Sequence, residues 1–381
     1  MKNGGHVKAY GFHYESMLTA TNSYIKGIYV TAEGIKEPVK RPQAQSIVVV
    51  IPYYNGSAYI ERAIKSVLAQ TVSASEFVIV NDGSLEAETE FLHDLAKTYQ
   101  FRIIDKENGG QGSARNAGVW ATKAEYICFL DQDDYYLEHH NEILLSGISN
   151  ARHKFGWIYG DLYEADSAGR LVTTAIVKYH GQHPKTSLFD LIRNDMHILP
   201  SASMISRSAF EAVGGFDEQF TGYEDDDLFM RLFRAGYTNI FIPTAVTAWC
   251  MHTSSTSYSI RMCRSRMRFF KKMLAEFPDE VGKGRFYLRD MLIPRFHLSF
   301  VGDALQSVIA DRRNEIPLLQ HQDELMAMLR EYQSIVNAND SIPKSYKLKL
   351  GIIVSLLETR SRKLLKLVLK SQQLGRKIIK R

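Results

Sequence analysis

Three aspartates lie within four residues of one another directly after an apolar run. The stretch reads EYICFLDQDDYY, and its carboxylates are Asp131, Asp133 and Asp134. A short apolar run with β-branched and aromatic residues is typical of a buried strand, and ligands of open α/β sheets bind beyond the carboxyl ends of strands. Clustered carboxylates repel one another unless a cation lies among them. Oxygen ligands suit Mg²⁺ or Mn²⁺, which often also bind substrate phosphates, so the stretch predicts a metal and diphosphate site.

Two other interpretations of this stretch need no diphosphate. A solvated acidic turn is common, because strands often end in polar turns. An EF-hand calcium loop would use Asp131, Asp133 and Glu142 at its positions 1, 3 and 12. That loop requires a glycine where this chain has Tyr136, and a helix where this chain has the apolar run. The calcium loop is therefore disfavoured, whereas the acidic turn remains open on this stretch alone.

The elements that would position this site alternate between apolar strands and amphipathic helices. Four apolar runs predict buried strands, and they lie at 47–51, 77–80, 101–104 and 126–130. Helices are predicted after the first three of them, the first with a cap at Ser57 and the third carrying Arg115. Such alternation is typical of parallel sheets. The expected fold class is α/β, with a doubly wound, mostly parallel sheet, helices on both faces and a helical C-terminal region.

The second half of the chain is less regular. Strands are predicted at 157–159 and 240–242, a helix is predicted at 206–213, and a further helix follows in GYEDDDLFMRL. From about residue 262 to residue 339 the pattern is helical, with breaks expected at Pro278, Pro294 and Pro317. We expect four regions, which are an N-terminal extension (1–45), a sheet domain (46–260), a helical region (261–340) and a basic tail (341–381).

Composition limits the class of protein. The chain has 381 residues, 45% of them hydrophobic and 23% charged, as in ordinary globular proteins. No apolar run reaches about 18 residues, so no membrane-spanning helix is expected. The start, MKNGGHVKAY, lacks the apolar segment of a signal peptide. The cysteines Cys128, Cys250 and Cys263 have no CxxC spacing, which favours a reducing cytoplasm over disulfides or a zinc site.

Positive charge is concentrated in the tail. Residues 344–381 hold twelve Lys or Arg and one acid, a net charge of +11, whereas the rest of the chain has 35 basic and 41 acidic residues, a net charge of −6. Apolar residues recur in the tail at helical spacing, at Leu350, Ile353, Val354, Leu357, Leu364, Leu365, Val368 and Leu369. This pattern predicts a helix on an anionic membrane surface, although a helix packed on the protein would share it. Nucleic acid is disfavoured, because Tyr346 is the tail's one aromatic residue for base stacking.

Three further polar stretches lie at predicted strand ends or helix starts. Asp82 lies in an Asn-Asp-Gly turn, which alone is ordinary turn chemistry. The loop Gly109-Gly110-Gln111-Gly112 can bind phosphate through N–H groups at a helix start, but Arg115 stands where a dinucleotide-binding loop has its third glycine. The run Glu224-Asp225-Asp226-Asp227 exceeds what a helix start needs, since each acid there contributes only about 0.3–1 kcal/mol. This excess favours a functional site on that helix.

Together these stretches resemble the family 2 glycosyltransferases of the GT-A fold. The matching segments keep the family's order and spacing, and they are VVIPYYNGSAYIERAIKSVLAQT (48–70), VNDGS (80–84), ENGGQGSARNAG (107–118), FLDQDD (129–134), GGFDE (214–218) and YEDDDLFMRL (223–232). The resemblance covers residues 46 to about 256. It implies a domain that binds a nucleoside diphosphate sugar, most often a UDP-sugar, and transfers the sugar with inversion to an acceptor hydroxyl.

The resemblance also implies a role for each matching residue. The nucleotide sugar would be bound by Pro52, Tyr53, Tyr54, Asn55, Asp82, Arg115, Asp131 and Gln132, with the Asp82 carboxylate accepting from the base. Mn²⁺ or Mg²⁺ would be bound by Asp133, with Asp134 and His252 as further ligands. Asp225 would be the general base, and Glu224 would help to bind the acceptor. A lone histidine at a strand end is often structural, so both interpretations of His252 stay open.

The sequence therefore predicts metal-dependent, inverting transfer of a hexosyl or N-acetylhexosaminyl group to a glycan or lipid-linked acceptor. The expected setting is the synthesis of a cell-surface polysaccharide at the cytoplasmic face of the membrane. The main alternative is a module of the same fold that binds nucleotide sugar or glycan without turnover. Asp133 and Asp225 argue against that alternative. The missing glycine pattern disfavours a nucleotide-dependent oxidoreductase.

Overall fold

The computed structural model describes residues 46–149, 154–252, 259–309 and 317–367, which belong to one compact unit. The predicted N-terminal extension lies outside the described residues, as does the end of the basic tail with Val368 and Leu369.

A sheet of nine strands forms the centre of this unit. The strands are β1 (Ile47–Tyr53), β2 (Glu76–Asp82), β3 (Arg102–Lys106), β4 (Tyr126–Phe129), β5 (Tyr135–Tyr136), β6 (Phe155–Ala165), β7 (Leu171–Thr173), β8 (Ser203–Ser206) and β9 (Thr238–Cys250). Their order across the sheet is β3-β2-β1-β4-β8-β6-β9-β5, and β7 pairs with β6.

Helices connect the strands and continue after β9. The α-helices are α1 (Ile60–Leu68), α2 (Glu86–Thr98), α3 (Gln111–Trp120), α4 (His140–Ile148), α5 (Leu188–Arg193), α6 (Arg207–Ala212), α7 (Glu224–Arg234), α8 (Ile260–Glu276), α9 (Ile293–Ile309), α10 (Gln322–Ala338) and α11 (Lys344–Glu358). A π-helical turn, Leu288–Leu292, leads into α9. Among the described residues, no helix combines the length and the hydropathy needed to cross a bilayer.

The first four strands have the predicted parallel winding. β1 pairs in parallel with β2 and β4, and β2 pairs in parallel with β3. Alternate residues of β1 enter different cores, because Val48 and Val50 pack with α3 and α7 whereas Val49 and Ile51 pack with α1 and α4. This division explains why β1 reads as an unbroken apolar run. The parallel arrangement brings the carboxyl ends of β1, β2 and β4 to one edge of the sheet.

The other strands make the whole sheet mixed. β8 is antiparallel to β4 and β6, β9 is parallel to β6, and β5 is antiparallel to β9. The runs predicted as short strands at 157–159 and 240–242 are parts of strands of 11 and 13 residues. The rest of β6 and β9 contains polar and half-exposed residues, so the apolar pattern of the sequence covers only part of each strand. The α/β class and the helices on both faces are confirmed, whereas the mostly parallel order holds for β1 to β4.

Two local predictions are wrong. α1 begins at Ile60, and Ser57 does not cap it, because the Ser57 hydroxyl donates to the Glu88 carboxylate at 2.8 Å. Pro294 breaks no helix. It is the second residue of α9, and α9 begins directly after the π-helical turn. Proline lacks an N–H and crowds the preceding turn, which the wider π-helical geometry tolerates.

The C-terminal helices pack on the α7 side of the sheet through an aromatic core. Phe269, Phe270, Phe296, Phe300 and Tyr332 are buried there, and the Phe300 and Tyr332 ring centroids are 5.0 Å apart. The apolar face of the predicted tail helix joins the same core, with Leu350, Val354, Leu357 and Leu365 all buried. The tail is therefore helical over α11, and this face packs on the protein.

Candidate active site

The sheet edge and the start of α7 enclose a cleft of about 740 Å³. Every residue that the sequence nominated lines it, namely Pro52, Tyr53, Tyr54, Asn55, Asp82, Arg115, Asp131, Gln132, Asp133, Asp134, Glu224, Asp225 and His252. The structure thus brings the matching stretches together, and the role of each residue remains a prediction.

Asp134 faces into the protein. It is 1% exposed, its Oδ1 accepts the Cys250 N–H at 2.9 Å, and its Oδ2 accepts the Ser201 hydroxyl at 3.0 Å. Burial raises the pKa of Asp134 well above its usual value, and the charges of Asp133 and Asp131 add to that effect. With both oxygens engaged, Asp134 ties the acidic loop to β9 and is less available to a metal than the sequence suggests.

Asp133, in the acidic loop, contacts His252 where both residues line the cleft. Asp133 Oδ2 lies 2.6 Å from His252 Nε2, and the His252 ring stacks on Tyr59 with centroids 4.8 Å apart. Burial raises the pKa of Asp133, and the charge of Asp131 raises it further. A carboxylate oxygen and an imidazole nitrogen form a donor set that fits Mn²⁺ better than Mg²⁺. No group of three or more His, Cys, Asp or Glu side chains could hold a metal ion within the described ranges, so other ligands would come from substrate and water.

Arg115 links the acidic loop to α7. It is 1% exposed, and it donates to Glu224 Oε1 at 2.8 Å and to Asp131 Oδ1 at 2.5 Å. Its guanidinium lies 5.3 Å from the Phe216 ring centroid. Burial alone would lower the pKa of Arg115, but the two carboxylates raise it. Arg115 therefore positions two candidate site residues instead of presenting its charge openly to a nucleotide.

Three of the four acids at the start of α7 have a cation of their own. The pairs are Glu224–Arg115, Asp226–Arg295, Asp227–Arg231 and Asp227–Lys272. Asp225 has no cationic partner among the described residues, and its Oδ1 accepts the N–H of Asp226 at 2.8 Å. Burial raises the pKa of Asp225 well above its usual value, and the charges of Glu224 and Asp226 contribute. An unpaired carboxylate of raised pKa in a cleft has the properties of a general base.

Asp82 organises the glycine loop beside the cleft. Its Oδ1 accepts from Lys106 Nζ at 2.8 Å and from the Gly109 N–H at 2.9 Å, and its Oδ2 accepts from the Gly110 N–H at 2.7 Å. The glycine loop, which the sequence offered as a phosphate cradle, therefore directs these two N–H groups at Asp82. A positive φ of 86° at Gly110 allows this approach.

Backbone and amide groups hold the first loop of the cleft. Gln132 Oε1 accepts the Tyr54 N–H at 2.9 Å, and Gln132 Nε2 donates to the Tyr54 carbonyl at 3.1 Å. Tyr53 is fully buried, and its hydroxyl donates to Glu88 at 2.7 Å. The Tyr54 side chain is 40% exposed, which leaves its ring free to stack on a base. Asn55 Oδ1 accepts a backbone N–H of the next loop at 2.9 Å.

Sequence reasoning missed several residues that hold this site. Arg62 donates to the Asp133 carbonyl at 2.7 Å, but it belongs to the polar side of an amphipathic helix and carries no local signal. Lys106, the partner of Asp82, ends strand β3, so its position after an apolar run was a usable signal. Arg295 lies in a predicted helix far from every matching stretch. Arg261, which also lines the cleft, lies beyond residue 256, where the resemblance ends.

Profiles of two protein families match the part of the chain that forms the sheet and most of the cleft. The profile of Glycosyl transferase family 2 matches residues 48–214, and that of the N-terminal domain of galactosyltransferase matches residues 196–255. An uncharacterized glycosyltransferase of Rickettsia prowazekii is 33% identical over 190 residues, which are 49% of this chain and 58% of that protein. The uncharacterized glycosyltransferase EpsJ of Bacillus subtilis is 43% identical over 88 residues, or 23% of this chain and 26% of its own length.

Solved structures show the same fold. The crystal structure of S. aureus TarS 1-349 in complex with UDP-GlcNAc aligns with a TM-score of 0.57 at 16% identity, covering 87% of this chain and 92% of that one. The chain spans between 27% and 58% of the length of three Rickettsia relatives. The predicted resemblance is confirmed for residues 48–214, which match the profile of Glycosyl transferase family 2, and the GT-A type of fold is confirmed.

Proposed function

We propose that this protein transfers a sugar from a UDP-sugar to an acceptor hydroxyl with inversion at the anomeric carbon. The observation that carries the proposal is the pairing of acids in α7. Asp225 lacks a cation among the described residues while each of its acidic neighbours has one, and it lines the same cleft as Asp133. A fold that bound nucleotide sugar without turnover would have no use for a half-buried carboxylate without a cation beside two other acids, because such a group costs stability.

The donor's nucleotide binds at the Asp82 end of the cleft. The exposed Tyr54 ring stacks on the base, and the Asp82 oxygens, which can accept more than one hydrogen bond each, accept from a base N–H. Asp131, held by Arg115, contacts the ribose. The complex of TarS with UDP-GlcNAc makes UDP-GlcNAc the first donor to test.

Asp133 and His252 would hold the divalent cation together with the donor diphosphate. When bound, Mn²⁺ or Mg²⁺ neutralises the charge that collects on the leaving diphosphate. Arg62 and Asp134 support this function by fixing the backbone of the acidic loop on both sides of Asp133. Their contacts keep the Asp133 carboxylate directed at His252.

Asp225 takes the proton of the acceptor hydroxyl. As the acceptor oxygen forms its bond to the anomeric carbon, the bond from that carbon to the diphosphate oxygen breaks on the opposite face. The raised pKa of Asp225 makes it a stronger base than an exposed aspartate. Glu224, with one oxygen held by Arg115, fixes the start of the helix beside it.

The acceptor is a glycan or lipid-linked glycan at the cytoplasmic face of the membrane, in the synthesis of a cell-surface polysaccharide. The tail's basic residues favour an anionic surface, and in the described part of the tail Leu348, Ile352, Leu364 and Leu367 are exposed apolar residues. The face with Leu350 and Val354 packs on the protein, so membrane contact uses the outer face. Lysines and arginines near anionic lipid contribute about 1 kcal/mol each.

A panel of nucleotide sugars tests the proposal. With Mn²⁺ present, the cognate UDP-sugar should raise the melting temperature, since ligand at 100 times its Kd stabilises a protein by about 2.7 kcal/mol. The same UDP-sugar should slowly release UDP when water is the acceptor. Stabilisation without UDP release, with or without candidate glycan acceptors, would support a binding module instead. No stabilisation by any nucleotide sugar would contradict both.

A further inference from the structure

Beyond Asp225 the cleft continues along a wall that the family's matching segments do not assign. This wall, called the acceptor wall below, consists of Leu162, Ile176, Val177, Asp195, His197 and Trp249. It combines apolar surface with one carboxylate and one imidazole. Ligand pockets typically have this composition, with a few placed polar groups on an apolar lining.

Asp195 presents an ionised carboxylate to the cleft. Its side chain is 61% exposed, and its Oδ1 accepts the His197 N–H at 2.9 Å. Its Oδ2 accepts no hydrogen bond from a residue that the structure describes. Surrounding protein atoms alone would raise the pKa of Asp195, but the charges of Arg295 and His197 lower it below the usual value. The carboxylate is therefore charged and has lone pairs left for a ligand.

The segment that carries Asp195 is fixed to the candidate base. Arg295 is buried, with 4% of its side chain exposed, and it pairs with Asp226. The same guanidinium donates to the Leu191 carbonyl at 2.6 Å. One cation thus joins α9, the helix that carries Asp225 and the chain that leads to Asp195.

A second buried cation, Lys185, does not line the cleft. Burial lowers its pKa, but it lies close enough to Asp190 and Asp195 for their charges to oppose that effect. Lys185 is 3% exposed, and within the described residues its ammonium has no hydrogen-bond or ion-pair partner. Asn239 clamps its backbone, accepting the Lys185 N–H and donating to its carbonyl, both at 2.8 Å. His197 has a positive φ of 50°, and its ring stacks on His180 with centroids 4.6 Å apart. Strained backbone and an unpaired buried cation are costs that a folded protein retains mainly at functional sites.

We propose that Asp195 and His197 form the acceptor subsite and that its occupant is an uncharged sugar or polyol unit with two neighbouring hydroxyl groups. One hydroxyl donates to Asp195 while its neighbour is held at Asp225. A phosphate at this place would be repelled by both carboxylates, whereas the C–H face of a sugar fits Val177 and Trp249. This proposal rests on the proposed function and names the class of group that binds next to its base.

The experiment measures UDP release from the donor in the presence of small acceptors. The uncharged probes are glycerol and the methyl glycosides of glucose and N-acetylglucosamine, and the charged probes are glycerol phosphate and glucose 6-phosphate. Asp195→Asn removes the charge but keeps an oxygen for the His197 N–H. Loss of one hydrogen bond to a charged group corresponds to about a 10- to 100-fold change. The KM for the uncharged acceptor should rise by that factor, and the donor Kd should stay within about twofold.

Two further variants guard the interpretation. Asp190→Asn is the matched control, because Asp190 lies on the same segment, accepts from Asn194 at 2.7 Å and does not line the cleft. Its acceptor KM should equal that of the wild type. His197→Asn removes the ring while asparagine tolerates the positive φ, so the acceptor KM should rise without loss of melting temperature.

Three results would overturn the proposal. They are an unchanged acceptor KM in Asp195→Asn, faster UDP release with the phosphorylated probes than with the uncharged ones, and no stimulation of the wild type by any uncharged probe. Failure of the proposed function is a separate result, because it shows as absent donor binding before any acceptor is added.

Discussion

Two parts of the cleft are held in different ways. We call them, after their proposed roles, the donor end, around Asp82 and Gln132, and the acceptor end, at the start of α7. At the donor end, polar side chains contact nearby loops and their backbone groups, as Asp82 does with Gly109 and Gly110 and Gln132 does with Tyr54. At the acceptor end, the acids of α7 are matched by cations that include Arg295 and Lys272. Both of these lie beyond residues 48–214 and 196–255, which the family profiles match.

This difference separates the parts of the molecule by what a substitution should change. The proposed donor end is built from local loops. The proposed acceptor end depends on the C-terminal helices for its electrostatics, so the helical region belongs to the proposed catalytic unit. Removing the unpaired acid should affect rate, whereas removing a buried cation should affect stability.

The largest effect is expected for Asp225→Asn. Because a general base acts in the transition state, kcat for UDP-sugar turnover should fall by about 10²–10⁴, with the donor Kd nearly unchanged. In the wild type kcat should decline as the pH falls through the raised pKa of Asp225, since only the ionised form accepts a proton. Steady-state kinetics and titration calorimetry measure the two quantities.

A paired acid of the same helix is the control for that result. Asp227 forms ion pairs with Arg231 and Lys272. Asp227→Asn should therefore lower the free energy of unfolding, whereas kcat of the folded enzyme should change little. If Asp225→Asn keeps kcat within a few-fold of the wild type, the base is another residue of α7 or lies elsewhere.

Arg295→Met should produce the next largest effect, on folding. Removing one partner of a buried pair costs about 3–5 kcal/mol, and we expect about the lower value because Asp226, with its pKa already raised to about 7 by burial, can take up a proton. A carboxyl group whose pKa is raised in the folded state stabilises the protein at low pH, and this contribution is lost as the pH rises through that pKa. Denaturant unfolding below and above about pH 7 should therefore show the larger deficit at the higher pH.

An exposed arginine gives the matched comparison for Arg295. Arg234 pairs with Glu276 at the surface, with 39% of its side chain exposed, so Arg234→Met should cost only about 0–1 kcal/mol. Equal losses for Arg295→Met and Arg234→Met would remove the distinction between the buried pairs of the acceptor end and ordinary surface pairs.

The donor end was predictable from sequence because its polar residues come directly after buried, apolar strands. An apolar run such as 126–130 predicts a strand, and it also predicts that Asp131 and Asp133 lie at the carboxyl end of that strand. Its partners come from loops whose glycines and polar residues are visible as motifs. The excess of four acids over the needs of a helix start also pointed to the helix of Asp225, which lines the cleft in the structure.

The acceptor end was not predictable because its cations come from far along the chain. Arg295 pairs with a residue 69 positions earlier, and in the sequence it looks like any solvent-facing arginine of an amphipathic helix. The inward direction of Asp134 was hidden for a related reason, because the register between the acidic loop and β9 turns it towards Cys250. Such facts arise from tertiary packing, which local patterns do not encode.

Asp133→Asn should weaken donor binding by a smaller factor than the loss of the base. A metal ligand is expected to contribute at least as much as its outer contacts, which are worth about 10- to 100-fold, so the donor Kd with Mn²⁺ should rise at least about tenfold. A chelator should reduce wild-type binding to the same level. Asp134→Asn should instead lower the melting temperature, because its oxygens accept internal hydrogen bonds. Full donor binding by Asp133→Asn in Mn²⁺ would assign the metal elsewhere.

The smallest effect is expected at the tail, which tests whether charge can act apart from the packed helix. Deleting residues 368–381 removes five Lys or Arg and leaves the buried Leu350 and Val354 in place. Each charge near an anionic surface is worth about 1 kcal/mol, but only within about a Debye length, so we expect about a tenfold loss of binding to vesicles with anionic lipid. Vesicles of zwitterionic lipid are the control, and salt should weaken the wild-type interaction in the same way as the deletion. Equal binding of the shortened and full-length chains would mean that the outer face of α11, or no part of the tail, contacts lipid.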